Sequence, residues 1–481
     1  MSKNKLIFVS IVSLLIVYNL GAQNTEIPDV NFEKTLIDLG IDSDGEVNGS
    51  ILTSDINQIT TLDVSSKEIS NLTGIQDFSN LEALYCHNNI LESINVKENS
   101  ELEILDCSSN MISGLTVRDN LKLKTLRCGA NKITDINTSF NILLEQFYID
   151  KNQLTTLNLK SNPQLKVLNC SSNQLSILNI TDNRHLKYLD FSYNNVDLIS
   201  LVNNSNLEYL SVGSNPLTVL NLISQGNLKT MHMVNNDLLP LIYFDSNRNL
   251  EYVSCHDNDI LSTIKVKGAD ALKYMNCSNN NLNELDVSEN LLLENLYCQN
   301  NQLSGLDLSL NTELAFLKCN DNNLEYLNLR NGQNFLMTGG DTEYEGVITY
   351  MEGVNAINNP LLQCIDVDNE SVANAGTSPY DSWLIDDDAS FSENCQSYLG
   401  VEDYQTENSV NLYPNPSRDF ISITSNNESI VDVMIYSTLG NETIEINRNF
   451  SLIPVDKLAN GVYFIKVTME NRIVFKRLIK V

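Results

Sequence analysis

The chain has 481 residues, which is more than one compact core usually holds, and its formal net charge is −31. The excess of acidic side chains lies almost entirely before residue 411. So acidic a surface repels the phosphates of nucleic acids and the head groups of anionic membranes, which excludes both as partners. It would suit a basic partner or divalent cations, although charge of this size also serves solubility.

The first 22 residues have the organisation of a secretory signal peptide. Lys3 and Lys5 form a basic start, residues 6–17 are apolar, and Gly21–Ala22 offers a cleavage site of small residues. The apolar segment is too short for a stable membrane span, and no later stretch approaches the length that a spanning helix needs. We therefore expect residues 1–22 to be removed during export and the mature chain to contain no transmembrane segment.

Residues 23–58 are predicted to form a cap over the N-terminal end of the repeats that follow. The spacing of apolar residues predicts one helix from Pro28 to Leu39, with Phe32, Leu36 and Leu39 on its buried face. A loop rich in turn-forming residues should follow this helix.

That loop contains Asp42 and Asp44, which align with two ligand positions of an EF-hand calcium loop. The alignment lacks the carboxylates of the first and twelfth positions, where Gly40 and Ile51 stand. The two aspartates are therefore only weak candidates for metal ligands, and a capping loop without metal is the favoured interpretation.

An internal repeat of 21 residues, occasionally 22, occupies residues 59–367. The unit that begins at Leu81 reads LxxLxCxxNxLxxLxV, and we number the positions of every repeat from its first residue. Fourteen repeats, here called rungs, follow one another, and an insertion near 331–350 precedes the last one. A single rung cannot bury its own apolar side, so the pattern predicts a solenoid of stacked parallel strands with little helix. The rungs begin at Ile59, Leu81, Leu102, Leu123, Leu144, Leu165, Leu186, Leu207, Leu228, Leu250, Leu272, Leu293, Leu314 and Met351.

The sixth position of each rung is apolar, and eight of the ten cysteines lie there. Cys alternates in this column with Val, Ile, Phe, Met and Ala, which indicates selection for buried volume. Stacked rungs are about 4.8 Å apart, but side chains of one column point the same way, which disfavours disulfides. Buried reduced thiols are therefore the favoured interpretation, and a metal-binding or redox-active ladder is the alternative. These cysteines are Cys86, Cys107, Cys128, Cys170, Cys255, Cys277, Cys298 and Cys319.

The ninth position is Asn in every rung except the first, where Lys67 stands. An amide both donates and accepts hydrogen bonds, so we predict that these side chains bridge backbone groups of their own turn and of the adjacent turn. A second Asn column ten residues later predicts a second turn in each rung. The ninth-position residues are Asn89, Asn110, Asn131, Asn152, Asn173, Asn194, Asn215, Asn236, Asn258, Asn280, Asn301, Asn322 and Asn359.

These columns resemble the leucine-rich-repeat family, in the short 21-residue form found in exported bacterial proteins. The resemblance covers residues 59–367 and rests on the LxxLxCxxNxL unit. It implies a curved solenoid with a parallel sheet on its concave face.

Aromatic residues at the third and fifth positions of the rungs are predicted to form a binding surface on that face. Tyrosine rings bury a large area with few rotatable bonds, which suits contact with a protein or a glycan. The alternative is that Tyr is present only because it favours strands. The insertion before the last rung is a second candidate, since long loops on rigid scaffolds often bind. The predicted contact residues are Tyr85, Tyr148, Tyr188, Tyr209, Tyr252, Tyr274, Tyr297 and Phe316.

No pattern in the chain indicates catalysis or a bound cofactor. It contains no GxSxG, no HExxH and no glycine-rich phosphate loop. His232 and His256 fall on adjacent rungs and could meet near Asp257 to hold a metal, but ordinary solvated side chains are favoured. We therefore expect a protein that is not an enzyme and that has no cofactor.

Residues 368–395 are predicted to form the C-terminal cap. Cys364 and Cys395 lie outside the sixth-position column and flank this segment, so we predict a disulfide that ties the cap to the last rung. Trp383 is expected to cover that rung.

Residues 396–410 read as a polar linker, and 411–481 alternate apolar and polar residues as in a small β-sandwich. The latter segment closely resembles the C-terminal sorting domain of the type IX secretion system. The resemblance implies contact with the secretion machinery, and then release of the passenger or its anchoring to surface lipopolysaccharide. The matching residues include Pro414, Asn415, Pro416, Gly440, Gly461, Tyr463 and Lys476.

Together these features predict a secreted or surface-attached binding or adhesion scaffold. Its partner would be an extracellular protein or a surface glycan. The alternatives are a structural surface component without a discrete ligand and an accessory module of a hydrolytic assembly.

Overall fold

A computed structural model describes residues 23–344, 347–395, 410–415, 417–425, 429–437, 442–446, 448, 450–469 and 473–480. The predicted signal peptide and residues 396–409 of the predicted linker lie outside the described residues. In the part of the chain that is described, no helix combines the length and apolar character needed to cross a membrane.

Fourteen short parallel strands form one continuous sheet, called the main sheet, and each rung contributes one strand. Each strand between the two end strands pairs in register with the rung before and the rung after, so that Tyr209 lies between Tyr188 and Thr230. This confirms the predicted solenoid. The strands are Thr61–Asp63, Ala83–Tyr85, Ile104–Asp106, Thr125–Arg127, Gln146–Tyr148, Val167–Asn169, Tyr188–Asp190, Tyr209–Ser211, Thr230–His232, Tyr252–Ser254, Tyr274–Asn276, Asn295–Tyr297, Phe316–Lys318 and Val354–Asn355.

Successive side chains of a strand point to opposite faces, which sorts each rung into a core side and an exposed side. In the fourth rung, Leu123, Leu126 and Cys128 are completely buried at the first, fourth and sixth positions. Thr125 and Arg127, at the third and fifth positions, lie on the opposite face. All eight sixth-position cysteines are free and buried, and burial raises the pKa of the Cys107 thiol to about 12.

Shorter parallel pairings form along the rungs away from the main sheet. Leu241–Tyr243 pairs with Thr263–Lys265. Near the C-terminal end, a four-stranded sheet follows the order Gly305–Asp307, Tyr326–Asn328, Cys364–Asp366 and Ser390–Ser392. Single turns of 3-10 helix occur at Ile75–Asp77, Asn334–Leu336 and Tyr380–Ser382.

The N-terminal cap consists of a two-stranded antiparallel sheet, Asn24–Glu26 with Ser50–Leu52, and two helices. Helix α1 spans Val30–Asp38, and Asp29 caps it by accepting from two backbone N–H groups of the first turn. The second helix, α2, is the short segment Thr53–Ile56.

Helix α1 buries Phe32 and Leu36 completely, as the apolar spacing predicts. The prediction that Leu39 lies on the same buried face is wrong, because its side chain is 50% exposed. The helix ends one residue earlier than predicted, and Leu39 is the C-cap residue. Because Leu39 lies beyond the last helical residue, the helical spacing of buried residues does not extend to it.

The C-terminal cap contains helix α3, Glu370–Asn374, and a cluster of three aromatic rings over the last rung. Tyr380 and Trp383 pack edge to face at 4.6 Å between ring centroids, and Phe391 contacts both. Cys364 and Cys395 are joined by a disulfide with a Cα–Cα distance of 5.8 Å.

The insertion before the last rung forms a β-hairpin, Gly340–Tyr344 paired with Val347–Met351. Its root is fixed to the C-terminal cap, because Trp383 Nε1 donates to the Met337 carbonyl at 2.8 Å. Met337 itself is completely buried.

The C-terminal region forms two antiparallel sheets with a common apolar core. One sheet contains Val410–Tyr413, Phe420–Ser425 and Ile453–Pro454. The other follows the order Glu442–Ile446, Ile430–Ser437, Gly461–Met469 and Ile473–Lys480.

Candidate binding face

The eight aromatic residues predicted to make contacts all lie on strands of the main sheet, on the face opposite the core. Tyr188, Tyr209, Tyr252, Tyr274 and Phe316 occupy third positions, and all are half-buried. The remaining three, Tyr85, Tyr148 and Tyr297, occupy fifth positions and are half-buried as well.

Five of these tyrosines belong to one unbroken row of rings, which we call the aromatic file. Tyr188 stacks on Tyr209 with centroids 4.3 Å apart and planes at 7°. Tyr252 stacks on Tyr274 at 4.4 Å and 10°, and Tyr274 is followed by Tyr297 at 5.3 Å. Parallel stacking at this spacing follows from the sheet itself, because in-register strands set identical side chains about 4.8 Å apart.

His232, which the sequence suggested only as a weak metal candidate, completes the aromatic file. Its ring lies 5.5 Å from Tyr209 and 5.1 Å from Tyr252, so it bridges the two stacked pairs. Thr230 occupies the third position of this rung, and His232 at the fifth position supplies the ring instead. The signal was available, since the third and fifth positions of a strand share one face.

The other predicted contact residues lie outside the file. The guanidinium of Arg127 covers the ring of Tyr148 at 4.6 Å from the centroid. Tyr85 lies near the N-terminal end of the sheet. Phe316 lies on the strand that follows Tyr297.

The rings of the aromatic file are packed firmly enough to perturb ionisation. Burial, with a contribution from Tyr274, raises the pKa of Tyr297 to about 12. Burial, followed by the proximity of Tyr209, also raises the pKa of Tyr188 well above its usual value. Both phenols are neutral at physiological pH, as an ordinary Tyr is, and can donate hydrogen bonds.

A row of charged side chains at the second position runs beside the aromatic file. Glu208 accepts hydrogen bonds from Lys187 at 2.9 Å and from Lys229 at 3.0 Å. These two bonds lower the pKa of the Glu208 carboxyl. The alternating signs thus pair along the sheet at this point.

The ninth-position asparagines bridge consecutive rungs at the edge where the strands turn. Asn131 Nδ2 donates to the carbonyls of Cys128 and of Cys107, which belong to its own rung and to the preceding one. Its Oδ1 accepts from the Ile112 N–H at 2.9 Å. One amide therefore satisfies backbone groups of two rungs that the strands leave unpaired.

Lys67, the one departure from this column, has a structural reason. Each Asn reaches back to the preceding rung, and the first rung has no preceding rung of the same kind. The backbone N–H of Lys67 instead donates to Asn89 of the second rung at 3.1 Å.

None of the weak metal candidates forms a metal centre among the described residues. No group of three or more His, Cys, Asp or Glu side chains there could hold an ion. His232 belongs to the aromatic file, whereas His256 Nδ1 lies 2.6 Å from Asp257 Oδ2. Asp44 accepts from the Glu46 N–H and the Asn48 amide within its own loop.

The residues that resemble a sorting signal are positioned by hydrogen bonds where the structure describes them. Asn415 links two segments, because its amide donates to the Arg477 carbonyl and its Oδ1 accepts from the Ile479 N–H. Tyr463 is buried, and its hydroxyl donates to the Ala459 carbonyl at 2.9 Å. Pro414 precedes Asn415, Gly461 begins a strand and Lys476 lies within one, whereas Pro416 and Gly440 lie outside the described residues.

Comparison with known proteins identifies the C-terminal region directly. Residues 411–481 match the family described as the secretion system C-terminal sorting domain. No curated protein matches the chain significantly.

Solved structures share the fold of the repeats. An internalin (inlF) from Listeria monocytogenes is 21% identical with a TM-score of 0.57, over 63% of this chain and 93% of that one. The leucine-rich-repeat domain of APL1 is 23% identical with a TM-score of 0.50, over 58% and 77% of the respective chains. The functional domain of InlJ from Listeria monocytogenes, which includes a cysteine ladder, is 20% identical with a TM-score of 0.48, over 96% and 99%. The chain is thus a leucine-rich-repeat solenoid with a type IX secretion sorting domain at 411–481, and that domain implies secretion or attachment to the outer-membrane surface.

Proposed function

We propose that this protein is a binding or adhesion scaffold without catalytic activity, and that it holds a protein or glycan partner on the exposed face of the main sheet. The observation that carries the proposal is the aromatic file. Six rings in mutual contact cross consecutive strands. Aromatic residues on rigid strands provide large contact area with little ordering cost on binding.

The charge of the protein supports a role in association. The net charge of −31 steers oppositely charged partners toward the surface and keeps the solenoids themselves apart. Export to the cell exterior, which the sorting domain implies, would place this face among surface molecules.

The test uses the secreted full-length chain against glycan arrays and extracts of neighbouring cell surfaces. The triple variant Tyr209→Ser, Tyr252→Ser, Tyr274→Ser should weaken capture of the partner at least about tenfold, because interface tyrosines are frequent hot spots. Its melting temperature should change little, since the three rings are only half-buried.

A matched control variant removes three tyrosines that lie outside the aromatic file. Tyr193→Ser, Tyr243→Ser, Tyr326→Ser should leave capture unchanged. Equal binding by the wild type and the file variant would refute the proposed face. If this protein is abundant on the cell surface and yet captures no partner from either source, the binding role would be replaced by the alternative of a structural surface component without a discrete ligand.

A further inference from the structure

Two pairs of tyrosines in the aromatic file are stacked face to face across neighbouring rungs. The ring centroids of Tyr188 and Tyr209, the first pair, are 4.3 Å apart with planes at 7°. Those of Tyr252 and Tyr274, the second pair, are 4.4 Å apart at 10°. In each pair the strands are parallel and the two tyrosines are register partners, so both rings leave the sheet in the same direction. Like atoms of the two rings therefore face each other, including the carbon atoms ortho to the hydroxyl groups.

The hydroxyl groups of the first pair are neighbours as well. Burial raises the pKa of Tyr188, and smaller contributions come from the proximity of Tyr209 and from a hydrogen bond between the two side chains. The two phenols are therefore in contact at the ring and at the hydroxyl. All four rings are half-buried, so part of each ring remains open to solvent.

The other ring contacts of the file keep the two pairs apart. His232 lies between Tyr209 and Tyr252, with ring centroids 5.5 Å and 5.1 Å away. Its imidazole separates the phenols of the first pair from those of the second. Tyr297 follows Tyr274 at 5.3 Å with planes tilted by 40°, which is a looser contact than the two stacks.

Contact between two phenols permits a defined oxidation. Loss of one electron and the hydroxyl proton converts a tyrosine to a phenoxyl radical, whose unpaired electron is shared with the ortho carbons. Two such radicals form a carbon–carbon bond between one ortho carbon of each ring, and the hydrogen atoms on these carbons move to the oxygens. The pair thus loses two electrons and two protons, which convert one hydrogen peroxide to two water molecules.

We propose that the two stacked pairs are sites of oxidative cross-linking, each forming a dityrosine bond between neighbouring rungs when a haem peroxidase acts on the protein with hydrogen peroxide. Groups held in contact combine far more readily than the same groups free in solution. The solvent side of the rings leaves room for the tilt that closes the remaining distance. Each bond would tie two rungs together and constrain the unfolded chain, as other cross-links do. The inference needs no binding partner, so it goes beyond the proposed function.

The experiment treats the dilute full-length chain with a haem peroxidase and hydrogen peroxide, and maps the products by mass spectrometry. Cleavage after Glu208 puts the tyrosines of the first pair on different peptides, and cleavage after Lys265 does so for the second pair. Each pair should appear as two joined peptides that have lost two hydrogen atoms. These products should be at least about tenfold more abundant than any cross-link of Tyr193, which is the control for exposure because its side chain is 61% exposed.

Phenylalanine variants remove a phenol and keep its ring. Tyr209→Phe should abolish the first cross-link and Tyr274→Phe the second, because a ring without a hydroxyl forms no phenoxyl radical. The matched control Tyr193→Phe should leave both cross-links unchanged. Treatment of the urea-unfolded chain should show no preference for the two pairs, since the strands no longer hold the rings together.

Absence of both cross-links from the folded protein would overturn the inference. Products dominated by Tyr193, or by bonds between two molecules, would do so too, because exposure and not stacking would then select the tyrosines. The same preference in the urea-unfolded chain would also contradict it. Coupling of Tyr274 to Tyr297 in place of Tyr252 would overturn the assignment of the second pair.

Discussion

Thr138 carries a buried hydroxyl group where the neighbouring rungs have Val117 and Leu159. Its Oγ1 donates to Asn162 Oδ1 at 2.9 Å in the buried second turn. The preceding rung has Val117 at this position, and the Oδ1 of Asn141 that it faces has no hydrogen-bond partner among the described residues. A buried acceptor without a partner costs roughly 1–3 kcal/mol.

We predict opposite effects for two substitutions of nearly equal volume. Thr138→Val should lower the free energy of unfolding by about 1–2 kcal/mol, because it removes the one donor to Asn162 Oδ1 that the described residues supply. Val117→Thr should raise it by a smaller amount, about 0.5–1 kcal/mol, because it gives Asn141 Oδ1 a donor. Urea unfolding midpoints would measure both, and a loss of stability in Val117→Thr would contradict this reading of the turn.

The backbone at the eighth position was only partly predictable from the side chains. Its φ lies between 51 and 59° in all fourteen rungs, the left-handed region that glycine and asparagine favour. Lys151 and Tyr193 nevertheless occupy it. Asn or Asp stands there in seven rungs, and Ser, Ala, Lys or Tyr stands there in the other seven. The preference of Asn and Asp for this conformation is therefore a partial signal, and the packing of the rungs fixes the same backbone where other residues stand.

At the scale of the rung, stability depends on hydrogen bonds between neighbouring rungs as well as on bonds within one rung. Asn173 Nδ2 donates to the carbonyls of Cys170, Ser171 and, in the preceding rung, Ile149. Its Oδ1 accepts from the Leu154 N–H at 2.9 Å. Loss of the amide would therefore leave backbone N–H and carbonyl groups of two rungs without hydrogen-bond partners.

Asn173→Ala should accordingly destabilise the solenoid by on the order of 3 kcal/mol, since several buried backbone groups lose their partners together. Lys67→Asn serves as the comparison, because the first rung has no preceding rung to bridge, and its effect should stay within about 0.5 kcal/mol. Thermal unfolding followed by circular dichroism would measure both. Similar effects of the two substitutions would show that the ninth-position asparagines do not stabilise the solenoid by bridging neighbouring rungs.

The architecture of the whole molecule could largely be predicted from the spacing of the repeated positions in the sequence. Leucines, cysteines and asparagines at fixed offsets predicted the parallel strands and the side that faces the core. What escaped prediction depends on contacts between rungs or at element ends. His232 joins the aromatic file only because Tyr209 and Tyr252 lie beside it, and Leu39 is exposed because helix α1 stops at Asp38.

Two surfaces of the molecule are candidates for the site that contacts a partner. The aromatic file lies on the main sheet, and the hairpin Gly340–Tyr344 with Val347–Met351 lies in the insertion before the last rung. Both were candidates from the sequence. The mutual packing of six rings favours the file, because a preorganised surface loses less entropy on binding.

The most direct test is hydroxyl-radical footprinting of the full-length chain, free and bound to the partner captured from cell-surface extract. Our account predicts reduced oxidation of Tyr209, Tyr252, Tyr274 and His232 in the complex, with unchanged oxidation of Tyr243. Protection confined to the insertion hairpin, with the aromatic file as reactive as in the free protein, would contradict it.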